Sequence, residues 1–229
     1  MKIKKKINIK LPAGNFSSWL RQIRKSILTE SGTKVACGDC TACCSSSYYI
    51  RIGPKETQAR KRIRKDLLVS APGLPKGYRL LVYEKNGLCP MLKGVKCSIY
   101  NYRPKTCRIY DCRIFTAAGI SAGGKDNALI AGQAMRWKFN YPGKRDRDEH
   151  LAVKTAAKFI RQHPKNFPGG RVPENPSQLA ILAIKVYDVF LDKKKMTNTE
   201  IADEIVKTSR KFDRKMSSGK FPAKNSISS

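Results

Sequence analysis

Four of the chain's eight cysteines fall within the eight residues Cys37-Gly38-Asp39-Cys40-Thr41-Ala42-Cys43-Cys44, and no other stretch restricts the fold as tightly. Two-residue gaps let thiolates from one tight loop turn toward a common ion while the intervening amides point at the sulfurs. The other four, Cys89, Cys97, Cys107 and Cys112, complete the set, and no cysteine follows them. Three thiolates at two-residue intervals with a distant fourth are the general arrangement of an iron–sulfur site, whereas two pairs suit tetrahedral zinc. Both geometries fit these spacings. Cys43 and Cys44 are neighbours and are not expected to bind one metal in the same way; one serves a second ion or remains a thiol.

The chain has 229 residues, enough to bury a core without disulfide staples. Its start, Met1 to Pro12, is basic but lacks the apolar run and cleavage site of a secretory signal, and no stretch approaches the roughly 20 apolar residues of a membrane span. These features predict a soluble, cytoplasmic protein in a reducing compartment, where clustered cysteines more often hold metal than pair as disulfides. An organelle transit segment is the alternative reading of the start. Redox catalysis by Cys37 and Cys40 would need a βαβ context that is absent. Against 17 Asp and Glu stand 47 Lys and Arg, a formal net charge of +30. Such an excess attracts polyanions and makes DNA or RNA the first partner to consider, a halo of solvated lysines being the plainer reading.

Read in order, residues 1–15 form a basic arm. Phe16, Trp19, Leu20, Ile23 and Ile27 recur at helical spacing up to Glu30, with Asn15 or Ser17 as cap. Residues 46–52 read as a strand. Gly53-Pro54 opens a second helix with Ala59, Ile63 and Leu67 inward, and its outer faces carry Arg60, Lys61, Arg62, Arg64 and Lys65, the candidate nucleic-acid contacts. Ala71 to Gly77 is a loop, Tyr78 to Tyr83 a strand, and Asn86-Gly87 a hairpin turn that delivers Cys89. After a Gly-rich stretch from Ala117 to Gly124, three helices are predicted: Asp146 to His163, one opened by Asn175-Pro176, and one opened by the capping box Thr197 to Glu200. His150 is assigned to the surface or core and His163 to a helix end. A disordered tail is expected from Ser217. The predicted organisation is therefore a cysteine-cluster domain over residues 16–115, a helical part over 116–216 packed on it, and a tail over 217–229.

Cys37-x-x-Cys40-x-x-Cys43-Cys44, the segment Leu88-Cys89-Pro90-Met91-Leu92, and Cys97-x-Ile99-Tyr100-x-x-Arg103-Pro104-x-x-Cys107-Arg108 occur in the order seen in the zinc- or iron-chelating cysteine-cluster family, the YkgJ-like CxxCxxCC domain. The chain resembles this family over roughly residues 35 to 115. The resemblance implies that all eight cysteines are metal ligands, with zinc or an iron–sulfur cluster of the 4Fe–4S type as cofactor. It also implies that Arg103-Pro104 sets a turn presenting Cys107, and that Tyr100 and Arg103 donate hydrogen bonds to the sulfurs. A relative of the family, flagellin lysine N-methylase, links such a cluster to protein lysine methylation, but no Gly-rich nucleotide loop follows a strand here. Tyr110 is expected to pack the hairpin.

The expected fold is α+β: a cysteine-rich metal-binding core with a small antiparallel sheet, an N-terminal helix before it and a helical C-terminal half. The expected function is metal binding on a basic chain associated with nucleic acid or a ribonucleoprotein. The alternatives are a cluster-dependent modifying enzyme and a purely structural zinc protein.

Overall fold

The computed structural model describes residues 9–47, 49–70, 73–124, 127–191 and 195–218. Most of the basic arm (1–8), the first two residues of the loop expected over 71–77 (71–72) and most of the tail expected to be disordered (219–229) lie outside these residues. The architecture is α+β, with two antiparallel sheets in the cysteine-rich middle and helices before and after it.

Strand β1 (Leu11–Asn15) runs directly into helix α1 (Phe16–Thr29). Residues 11–15 are therefore not free arm: they pair in parallel with a strand more than a hundred residues away, Leu11 opposite Trp137 and Asn15 opposite Asn140. Phe16, Trp19, Leu20 and Ile23 form the buried stripe of α1, as their spacing requires. The cap differs from expectation. Asn15 makes no side-chain bond to the helix; instead the Ser17 amide donates to Asp146 Oδ1 at 2.9 Å, satisfying one of the orphan amides of the first turn from across the fold.

Beyond α1 the cysteine region is built from short pieces. Cys43 and Cys44 sit in a single 3-10 turn, Ala42–Ser45. The strand expected over 46–52 is reduced to β2 (Arg51–Ile52). Helix α2 (Thr57–Arg62) starts later and stops earlier than expected, because Glu56 turns its carboxylate back onto the Gly53 amide at 2.7 Å and Ile63 adopts extended backbone at the end. After a 3-10 turn, Lys65–Leu67, come β3 (Leu68–Val69) and β4 (Arg79–Leu81). The sheet order is β2-β4-β3, all antiparallel. The hairpin expected at Asn86-Gly87 is a turn only: β4 pairs with β2 and β3, and Cys89 donates its amide to Cys44 O at 2.8 Å. The hairpin lies further on, where β5 (Leu92–Lys93) and β6 (Lys96–Cys97) pair antiparallel and carry Cys97. Helix α3 (Lys105–Ile109) then bears Cys107, and α4 (Arg113–Ala118) follows Cys112.

The remainder is helical apart from one strand: α5 (Ala128–Arg136), β7 (Trp137–Asn140, the partner of β1), α6 (Lys144–Gln162), α7 (Pro176–Val186) and α8 (Asn198–Ser218). Asn175 Oδ1 accepts the amides of Ser177 and Gln178, and Thr197 and Glu200 form the predicted reciprocal cap. Ser217 and Ser218 continue α8.

Two hydrophobic cores result. The larger combines Phe16, Trp19 and Leu20 with Phe115, Trp137, Val153, Ile160, Ile184 and Ile205, so α1 packs with the C-terminal helices. The smaller gathers Ile50, Ile52, Ile63, Leu81, Cys89 and Ile99 under the two antiparallel sheets. His150 belongs to the larger core's edge, stacked 4.3 Å from Phe16.

Candidate metal centre

The first cysteines are positioned by tight turns. The Cys40 amide donates to Cys37 O at 3.0 Å and the Cys44 amide to Thr41 O at 2.8 Å. Gly38 sits at φ +54° between Cys37 and Cys40, a conformation glycine adopts without strain. Arg103 is extended at ψ 143°, as a residue before proline must be, and Pro104 O receives the Cys107 amide at 2.9 Å. Cys107 is thus held at the first turn of α3, as the Arg-Pro pair implies.

None of the eight cysteines is in a disulfide. They line two adjoining cavities. One, of about 510 Å³, is bordered by Cys37, Cys40, Cys43, Cys44, Cys89, Cys97 and Cys107. The other, of about 450 Å³, is bordered by Cys37, Cys40, Cys43, Cys107 and Cys112. Arg103 and Tyr100 line both. Among the described residues no three His, Cys, Asp or Glu side chains already converge in a metal-holding geometry; the thiols surround space rather than a point.

Burial dominates their protonation. It pushes Cys37 up to about 11, with Cys43 and Cys40 adding to the effect, and Cys107 and Cys112 up to about 12. Cys89 is raised by the same cause. Cys43 is the exception, lowered to about 7 because the Cys44 thiol hydrogen-bonds to it, while Cys44, its partner, is raised. Arg103 favours the thiolate at Cys37, Cys43 and Cys107.

Among the buried donors with no hydrogen-bond partner in the described residues are Nε of Arg103 and the phenol of Tyr83. The Tyr83 phenol is raised first by burial and then by Cys89, Cys107, Cys44 and Cys43, and its side chain packs on the smaller core beside Cys44, Cys97 and Cys107. Unpartnered buried donors cost free energy, and a thiolate or sulfide is the acceptor that would satisfy them. With eight soft sulfur donors, this environment fits zinc or an iron–sulfur cluster. Arg103 also stacks 3.6 Å over Tyr100, whose ring is exposed.

Residues 36–128 match the family model "CxxCxxCC: Putative zinc- or iron-chelating domain". The chain is similar to this family over that segment. No curated protein and no solved structure matches the chain. The matched segment contains every cysteine, Tyr83 and Arg103, and its end lies beyond α4, inside the helical half.

Sequence reasoning missed three residues that position the domain. Tyr83 reads as an ordinary strand aromatic. Asp111, fully buried, accepts from Trp19 Nε1 at 3.2 Å, Thr33 Oγ1 at 3.0 Å and Arg113 Nη2 at 2.6 Å. Trp137 donates its indole N–H to Cys112 Sγ at 3.2 Å. Asp111 adjoins Cys112 in sequence, the one signal that pointed to it.

The basic block divides between two elements. Arg60, Lys61 and Arg62 lie on α2, with Arg60 donating to Gly77 O at 3.1 Å and Arg62 stacked 3.4 Å over Tyr102. Arg64 is paired with Asp66 at 2.5 Å, and Lys65 begins the following turn. No helix among the described residues is long and apolar enough to cross a membrane.

Proposed function

We propose that the CxxCxxCC domain is a metal centre whose ligands are drawn from Cys37, Cys40, Cys43, Cys44, Cys89, Cys97, Cys107 and Cys112, holding zinc or an iron–sulfur cluster, with 4Fe–4S as the cluster form suited to four thiolates. The carrying observation is that all eight thiols border two adjoining cavities in the matched segment. Arg103 and Tyr83 would donate to the sulfurs and lower the negative charge they carry. A bound metal would supply structural cross-linking or, in a cluster, a one-electron couple. Purification of the full chain without oxygen, followed by metal analysis and optical spectroscopy, tests this. Stoichiometric zinc, or iron with sulfide and its visible absorption, is the expected result; a folded, colourless, metal-free protein overturns it.

A second reading, association with single-stranded nucleic acid, is supported by the Arg62–Tyr102 and Arg103–Tyr100 stacks on a chain of net charge +30. Exposed aromatic rings beside guanidinium groups supply base stacking and phosphate contact together. Retention on RNA that weakens steeply with salt is expected, and retention indifferent to salt overturns it.

A further inference from the structure

We propose that the eight cysteines divide into two four-thiolate centres that abut at the Cys43–Cys44 peptide: Cys37, Cys40, Cys43 and Cys112 in one, Cys44, Cys89, Cys97 and Cys107 in the other. This rests on the metal-binding reading above and adds the number of centres and the membership of each.

The two cores separate six of the eight cysteines, and the short Cys37-to-Cys43 loop keeps Cys37 and Cys40 with Cys43. Cys112 is buried in the larger core and Cys43 packs against that core. Cys89 is buried in the smaller, with Cys44, Cys97 and Cys107 packed against it. Adjacent residues face different cores because Cys43 and Cys44 lie in a 3-10 turn, where about three residues complete a revolution and successive side chains diverge by about 120°.

The cavities separate Cys112 from Cys44, Cys89 and Cys97, with the other four cysteines bordering both. Cys112 borders the smaller cavity with Cys37, Cys40 and Cys43, and neither Cys44, Cys89 nor Cys97 reaches it. Those three border the larger cavity, which Cys112 does not reach. Backbone connections agree: the Cys89 amide donates to Cys44 O at 2.8 Å, and the β5–β6 hairpin that follows brings Cys97 to the same side.

Cys37, Cys40, Cys43, Cys107 and Arg103 border both cavities, so the centres are close neighbours. Cys107 is assigned to the second set by its packing on the smaller core beside Cys89, Cys44 and Cys97. Four thiolates saturate a tetrahedral zinc ion and leave it with a net charge of −2. Two such centres side by side repel, and Arg103, bordering both, is the cation placed to offset that repulsion. Each zinc ion that enters replaces four S–H bonds with four Zn–S bonds and releases the four protons to solvent, with no oxidant or reductant needed.

The test uses the full chain, stripped of metal under reducing, oxygen-free conditions and refolded with zinc alone, with bound zinc counted after removal of excess by a weak chelator. Two zinc ions per wild-type chain are expected. Cys40→Ser and Cys97→Ser, at half-buried positions that tolerate the change better than Cys112 or Cys89, should each retain one, and the double variant none. Alkylation with mass mapping should find Cys44, Cys89, Cys97 and Cys107 protected in Cys40→Ser, and Cys37, Cys40, Cys43 and Cys112 protected in Cys97→Ser. One zinc in the wild type, or loss of both from either single variant, overturns the division while leaving the metal-binding reading intact. A folded wild-type chain that takes up no zinc overturns the division, and one that also carries no iron and sulfide as purified without oxygen overturns the metal-binding reading.

Discussion

Trp137 and Cys112 are joined by an indole N–H···S bond of 3.2 Å inside the larger core. The other tryptophan, Trp19, donates its indole N–H to Asp111 Oδ2 at 3.2 Å. Both tryptophans thus hold consecutive residues at the start of α4, which is how a cysteine from the metal region is anchored against helices that carry none. Cys112 is the point where the two parts of the fold meet chemically.

That bond makes Trp137 a reporter. In a Trp19→Phe variant, where it is the remaining indole, zinc or iron loading should change the emission intensity and wavelength as the thiol partner becomes a metal thiolate. A chelator should reverse the change. Emission indifferent to loading would place the metal away from Cys112.

Asp111 binds the region together through Trp19, Thr33 and Arg113, with its side chain fully inaccessible and that of Arg113 nearly so. Replacing it leaves the guanidinium of Arg113 buried without its counter-ion. Asp111→Ala should therefore destabilise the fold by about 3–5 kcal/mol, measured as a shift in urea midpoint at unchanged slope.

Gly32 lies at φ +79°, and a Cβ there would stand 2.5 Å from the backbone oxygen of Arg108, the residue after Cys107. Backbone cannot step aside as a flexible side chain can. Gly32→Ala should cost about 1–3 kcal/mol and weaken metal retention by displacing α3. Chelator competition against the wild type reads the second effect.

His150 is held neutral. Its Nε2–H faces Thr116 O at 3.4 Å and its Nδ1 accepts from Tyr141 Oη at 2.7 Å; burial, then the nearby Lys154 cation, lower its pKa to about 4. The unfolded imidazole binds its proton near 6.5, so between these values the unfolded state holds more protons and folding weakens as pH falls. Stability should be insensitive to His150 above about pH 6.5 and drop by up to about 3 kcal/mol toward pH 4. His150→Gln should remove that portion of the slope in denaturant titrations.

For the nucleic-acid reading, Lys61→Glu with Arg62→Glu should lower RNA affinity and reduce the slope of log affinity against log salt by about 0.7 per lost phosphate contact. Arg64→Glu should matter less, since Asp66 already neutralises Arg64. Equal effects from both changes would argue against α2 as the contact surface.

What the sequence determined by itself was whatever is encoded locally. The buried stripe of α1, the Asn175 and Thr197 caps and the left-turning glycines depend on neighbours within a few residues, and the cysteine spacing announces its chemistry without a fold. Helix α2 was read too long because Ile63 and Leu67 keep helical spacing, while the backbone at Ile63 is extended and buries that side chain among strands. The pairing of β1 with β7, the Asp146 cap on α1, the donation of Trp137 to Cys112 and the arrival of Tyr83 among the thiols were decided by tertiary structure alone. Each joins residues far apart in the chain, and a contact between distant residues leaves no period or motif in either segment. The same reason separates Cys43 from Cys44: in sequence they are equivalent neighbours, and only the two cores on either side of their turn give them different partners.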